Sequence, residues 1–260
     1  MSSEPASPGG AAGTRLRVVA IDGPSGAGKS TVARLVAKAL GFSFLDTGAM
    51  YRAVTWHFLE EVCAPAECAT EPDRGEQRMR AVLAATRLEF HGQRLWVNGR
   101  DVTAHLRTRE VESQVSAVSA LPFVREAMRD LQRHVAERGP VVAEGRDMGS
   151  VVFPNARWKF FLDAAPTERA RRRLRDFVAQ GRVVSEAEVL EEIEVRDHLD
   201  STRKDAPLMQ AADAVYVDTT GLLTEQVVTA ILRHIDRQEA DAATSARDAA
   251  VRHGAGGGVA

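Results

Sequence analysis

The sequence predicts an α/β fold, a parallel sheet flanked by helices that carries two excursions, an antiparallel β insert and a helical lid. Three observations predict it. Five short apolar runs of strand length, Val18–Ile21, Phe44–Leu45, Val141–Ala143, Phe160–Leu162 and Ala214–Val217, are each bounded by helical stretches. A glycine-rich stretch, Gly23 to Ser30, joins the first run directly to a helical pattern. Two further segments break the alternation with other periodicities.

In chain order, Val18–Ile21 is continuously apolar, which suits a strand buried on both faces. Val32, Leu35, Val36, Ala39 and Leu40 then recur at helical spacing, and Gly41 suits the left-handed residue that ends a helix. Phe44-Leu45 is a second strand, and helical character resumes from Ala49 to Glu61. Between about Pro65 and Arg109, Leu88, Phe90, Leu95 and Val97 alternate with polar residues. The turn pairs His91-Gly92 and Asn98-Gly99 make that stretch a small antiparallel sheet. From Thr167 to Pro207 two charged amphipathic helices meet near Gly181; the first carries Arg169, Arg171, Arg172, Arg173 and Arg175 and is too polar around its circumference for a core helix. Residues 1–14 and 237–260 are poor in large apolar groups and read as disordered tails. The expected division is a core in three parts (15–64, 110–166 and 208–236), an insert at 65–109 and a lid at 167–207.

Composition excludes several classes. In 260 residues, 44% hydrophobic and 27% charged, no run approaches the roughly 20 apolar residues of a membrane helix, and MSSEPASPGGAAGTR lacks the apolar run of a secretory signal. A cytoplasmic, monomeric protein is the expectation. Cys63 and Cys68, even with His57, do not make a four-ligand zinc site, and free thiols are the simpler reading. The net charge of −2 argues against nucleic acid as a partner, although a local arginine stripe keeps RNA open. Of 34 basic residues only Lys29, Lys38, Lys159 and Lys204 are lysines, leaving thirty arginines. Codon bias explains such an excess, and so does a need to bind planar anions.

Gly23-Pro24-Ser25-Gly26-Ala27-Gly28-Lys29-Ser30, between strand and helix, has the P-loop form GxxxxGK[ST]. Its glycines let backbone N–H groups curl onto phosphate oxygens, and the helix amino end adds positive potential. Lys29 supplies a mobile cation for the β and γ phosphates, and the Ser30 hydroxyl can ligate Mg²⁺. No lysine follows Asn or Thr in a guanine-reading motif, which disfavours a G protein. Asp163 and Glu144 each end an apolar run, so a P-loop ATPase switch acting on a macromolecular partner stays open. Arg52 and Arg146, each following a strand end, instead favour a kinase whose acceptor is itself a phosphate, because ligands of open α/β sheets gather there.

IDGPSGAGKST, LDTGAMYRAV, RTREVESQVSAVSALPFVREAMRDLQR, EGRDMGSVVFPNA, KFFLDA and RDHLDSTRKDAPL together resemble bacterial cytidylate kinase over about Arg17 to Ile235. The resemblance implies ATP-dependent phosphorylation of CMP and dCMP, with Mg²⁺, on a P-loop nucleoside monophosphate kinase fold. It implies ATP contacts from Gly23, Pro24, Ser25, Gly26, Ala27, Gly28, Lys29, Ser30 and Thr31. Thr47, Arg52, Arg146 and Arg203 fall around the CMP phosphate, Arg196 and Asp200 near sugar and phosphate, and Ser116, Arg125 and Asp147 around the base. Lys29, Arg146 and Arg203 would serve catalysis, and Ser30, with Glu144 through water, the metal. Some family members carry Asp where this chain has Glu144. Cytosine offers an N4 amino donor beside N3 and O2 acceptors, so a carboxylate, a hydroxyl and an arginine complement its edge; uracil would leave the carboxylate unpaired.

Overall fold

The computed structural model describes residues 16–62, 72–92, 94–179 and 181–254. The 1–14 tail and both cysteines lie outside these residues. Five parallel strands form the central sheet in the order β2-β6-β1-β7-β8. They are β1 (Leu16–Asp22), β2 (Ser43–Asp46), β6 (Val141–Gly145), β7 (Ala156–Asp163) and β8 (Val215–Asp218).

Alternation along β1 divides the core into two layers. Val18 and Ala20 join Val141 and Ala143 against Met50, Val54 and Phe58 of α2 (Thr47–Glu61) and Phe123, Val124 and Met128 of α5 (Pro122–Glu137). Val19 and Ile21 face the other way, onto Val32, Ala33 and Val36 of α1 (Lys29–Leu40) and Val227, Ile231 and Ile235 of α8 (Thr224–Gly254). A strand buried on both faces has no polar alternation, and Val18–Ile21, Val141–Ala143 and Phe160–Leu162 are the cores of such strands, whereas β2 and β8, at the sheet edges, are only part-buried, with Tyr216 exposed. Helix α2 begins two residues before the expected Ala49, because the Asp46 carboxylate accepts the Ala49 N–H at 2.8 Å and caps it.

Two stretches differ from expectation. The insert is not all β: α3 (Pro72–Ala84) precedes the antiparallel sheet β3 (Leu88–His91), β4 (Arg94–Val97) and β5 (Arg100–Asp101). Met79, Val82 and Leu83 form one stripe of α3 that packs on the core, a helical period hidden among charges. At the other end, residues 237–254, expected as a tail, continue α8. Ala, Glu, Gln and Arg are strong helix formers, so the scarcity of apolar groups there governs burial and leaves the backbone helical. Arg157 pairs with Glu239 on this extension at 2.9 Å.

The insert sheet packs through Leu95 and Val97 onto Ala53 and Trp56 of α2, beside α4 (Arg109–Ala120). The lid is the expected helix pair, α6 (Pro166–Ala179) and α7 (Glu186–Thr202), with its own small core of Ala170, Phe177, Val189 and Ile193. No described helix is long and apolar enough to cross a membrane. The lid follows β7 and the insert follows α2, and the cleft lies at the carboxyl ends of the strands, where the P-loop leaves β1 and Arg146 and Asp147 follow β6.

Candidate active site

The P-loop leaves β1 at Asp22 and enters α1 at Lys29. Gly23 is forced by space: with φ of +147°, a Cβ there would stand 1.9 Å from the Leu162 carbonyl oxygen of β7. Lys29 folds back to donate from Nζ to the Pro24 carbonyl at 2.6 Å. Burial, and then the neighbouring Arg146, push its pKa down to about 7. Ser30 Oγ donates to Glu144 Oε1 at 2.8 Å, while burial and the nearby Asp46 push the Glu144 carboxyl well up. Thr47 Oγ1 donates to the Glu144 carbonyl at 2.7 Å, binding the start of α2 to the end of β6.

Across the cleft, side chains hold one another. Arg125 pairs with Asp147, which Arg203 also approaches at 3.7 Å. Arg146 Nε donates to Asp200 Oδ2 at 2.8 Å, and Arg203 and Arg196 stand 3.8 and 4.0 Å from the same carboxylate. Burial alone would raise the Asp200 carboxyl, but Arg146 and Arg196 outweigh it and hold it low. Arg196 is pushed down to about 9 by burial and by Arg146. Burial and Arg107 likewise lower Arg52, whose Nε has no hydrogen-bond partner among the described residues. Cations crowded to this degree, with donors on Arg52, Arg125, Arg196 and Arg203 that lack a hydrogen-bond partner among the described residues, suit an anionic ligand.

The cleft measures about 730 Å³ and is lined by ten basic side chains against five carboxylates. That surplus suits two phosphate-bearing ligands facing each other. Ser25 to Thr31, Thr47, Arg52, Arg125, Glu144, Arg146, Asp147, Arg196, Asp200 and Arg203 all line it. Gly23 and Pro24 lie behind the cradle, where they shape its backbone.

Of the expected base-side residues, Arg125 and Asp147 line the cleft; on α4 the lining is Val115 and Ser119, and Ser116 stands beside them one residue after Val115. Ser116 and Ser119, three apart, are neighbours on the helix, and the Ser119 hydroxyl donates to the Ser116 carbonyl at 3.1 Å.

A family model described as cytidylate kinase matches residues 19–237. The chain belongs to the cytidylate kinase family. The cytidylate kinase of Carboxydothermus hydrogenoformans is 50% identical over 224 residues, covering 85% of this chain and 97% of that protein. That of Caldanaerobacter subterraneus is 45% identical over 217 residues, 84% of this chain and 93% of its own length. A bifunctional pantoate ligase/cytidylate kinase from Synechococcus is 48% identical over 225 residues, of which the chain spans 42% of that protein's length. Membership disfavours the switch ATPase.

Further residues, to which the sequence assigns no individual role, shape or line the cleft. Asp22 is buried at the foot of the P-loop and accepts the N–H groups of Met148 and Gly149 at 2.8 and 2.7 Å. It thereby fixes the π-helical turn Met148–Val152 that follows Arg146 and Asp147, and burial pushes its carboxyl up to about 6. Its place directly before Gly23 was the available signal. Arg107, Tyr51 and the lid arginines Arg172, Arg173 and Arg175 also face the cleft. Arg172 donates to the carbonyl of Thr219 at 2.6 Å, joining the lid to the loop after β8.

Proposed function

We propose how this cytidylate kinase, which phosphorylates CMP and dCMP from ATP, distributes the work among its residues. ATP lies on the Gly23–Thr31 cradle, its β and γ phosphates received by backbone N–H groups and by Lys29 in place of the Pro24 carbonyl. CMP lies opposite, its phosphate taken by Arg52, Arg146 and Arg203 with the Thr47 hydroxyl. Arg196 and Asp200 hold the sugar side, and Asp147, oriented by Arg125, accepts from the cytosine amino group. The Ser116 hydroxyl of α4 assists there.

The donor set fits Mg²⁺. Ser30 and Glu144 are already within hydrogen-bond distance, and a hydroxyl with one carboxylate through water, completed by substrate phosphates, is a usual magnesium environment. When bound, the ion supplies charge neutralisation between the β and γ phosphates. The protein's own part is alignment and electrostatic stabilisation. Lys29, Arg146 and Arg203 surround the transferring group, and the lid arginines close over it and exclude water. No side-chain nucleophile is required.

The observation that carries this reading is that the Arg125–Asp147 pair opens into the same cleft as the P-loop. All these groups come from one chain, so a single copy carries the whole proposed site. Incubation with ATP, Mg²⁺ and a panel of nucleoside monophosphates should give CDP and ADP in equal amounts, with CMP and dCMP preferred over UMP. ATP hydrolysis without any diphosphate product of the acceptor would overturn it.

A further inference from the structure

Two charged residues of the lid do not face the cleft and yet govern its floor. Arg169 stands in the first turn of α6 and is only 5% exposed. Its Nε donates to the Ala164 carbonyl at 2.9 Å, and its Nη1 donates to the Ser25 carbonyl at 3.1 Å. The same guanidinium pairs with Asp197 of α7. The second oxygen of Asp197 accepts the Ser25 N–H at 3.4 Å. Both backbone groups of one P-loop residue are thus held by a single ion pair that spans the two lid helices.

The neighbouring contact is as close. A Cβ on Gly26 would come within 2.9 Å of the Arg169 Cβ, so the P-loop turn rests directly on the arginine stem. In a trans peptide the carbonyl and the following N–H point in opposite directions. With the Ser25 carbonyl drawn toward Arg169, outside the cleft, the Gly26 N–H is turned the other way, where Gly26 lines the cleft. An unpinned peptide of this kind could rotate, because Gly26 tolerates many conformations.

We propose that Arg169 and Asp197 are positioning residues that set the Ser25–Gly26 peptide plane and so couple the lid to the phosphate cradle. The pair favours ATP without touching it. Asp197 comes from the second lid helix, so displacement of that helix frees the Ser25 N–H and loosens the cradle. This rests on the P-loop being the ATP site, and it goes beyond the assigned contacts by naming what holds the site in shape.

The test is calorimetric titration of ATP and, separately, of CMP into the whole protein, which needs no turnover. Asp197→Asn should weaken ATP about ten- to thirtyfold, the scale of one lost charge-assisted hydrogen bond, with CMP affinity changed less than twofold. Arg169→Lys keeps the charge but loses the fork that serves three acceptors at once, and it should show the same selective loss. Equal weakening of both ligands, or a lower melting temperature with both affinities intact, would make the pair merely structural and overturn the proposal. If Asp197→Asn does not fold, Arg169→Lys alone decides by the same criterion. Absence of CDP formation by the unmutated protein would instead undo the kinase assignment, leaving the ATP titrations to judge the pair.

Discussion

The phosphate cradle occupies nine consecutive residues, Gly23 to Thr31, whereas the facing wall of the same cleft gathers Thr47 and Arg52 from α2, Arg125 from α5, Asp147 from beyond β6, and Arg196 and Arg203 from the end of the lid. The cradle works through main-chain groups, so its requirements are conformational and its variable part is one lysine. The facing wall works through guanidinium forks and carboxylates that neutralise one another until an anion arrives. A single substitution therefore fails differently on the two sides: in the cradle it removes shape or the one cation, and in the wall it leaves a buried partner uncompensated.

Removing that one cation is the severest way to expose the contrast. Lys29→Met should lower turnover about a thousandfold, because no second cradle cation replaces it at the transferring phosphate. Circular dichroism and unfolding should stay near those of the parent, since a buried cation is exchanged for an apolar chain of similar length. Turnover within tenfold of the parent would transfer Lys29's role to the arginines opposite. Shape is attacked by Gly23→Ala, whose new methyl would meet a backbone carbonyl of the central sheet. We expect a loss on the order of 3 kcal/mol or more in denaturant unfolding, with no rescue by ATP at millimolar concentration. An unchanged midpoint would mean that β1 and β7 can part without cost.

How much of each half was legible follows from the same difference. The cradle is contiguous, so strand, glycines, lysine and helix can be read in order, and the three inner strands β1, β6 and β7 are legible because burial on both faces makes them continuously apolar. Of the wall, Arg52 and Arg146 are legible from their places after strand ends, but the rest only through the family resemblance: nothing in local spacing tells Arg125, 22 positions before Asp147, that the two will pair. Asp22 went unread because its task, accepting two N–H groups of a turn more than a hundred residues away, exists only after the sheet forms. Helix α3 is hidden by its charges, because its apolar stripe of Met79, Val82 and Leu83 is short. The thirty arginines also divide. Some line the cleft, and Arg169 shows a third use, since it is buried and tied to backbone carbonyls away from the cleft.

On the acceptor side, Asp147→Asn tests whether the wall reads the base. An amide presents a donor as well as an acceptor, so the penalty against uracil is relieved while the fit to cytosine is impaired. The ratio of kcat/KM for CMP over UMP should fall about ten- to a hundredfold, more through CMP than through UMP. A ratio that does not move would shift base recognition away from the Arg125–Asp147 pair.

The smallest effect is a proton count, and it distinguishes the halves without any mutation of the wall. In the empty site burial and Arg146 bring Lys29 down to about 7, so at pH 8 it is mostly neutral. Phosphates of ATP favour the charged form and raise that pKa, so binding must take up a proton from solvent. At pH 8 free ATP has already lost its own last proton and does not offset the uptake. Titrating ATP in two buffers of different ionisation heat should therefore show uptake of more than about half a proton, and the Lys29 contribution should fade as the pH falls through 7, because Lys29 is then already charged. Lys29→Met should abolish most of it. CMP, received by guanidinium groups that stay protonated at this pH, should bind with much less uptake; equal uptake for both ligands would mean that the cradle's lysine is not the titrating group.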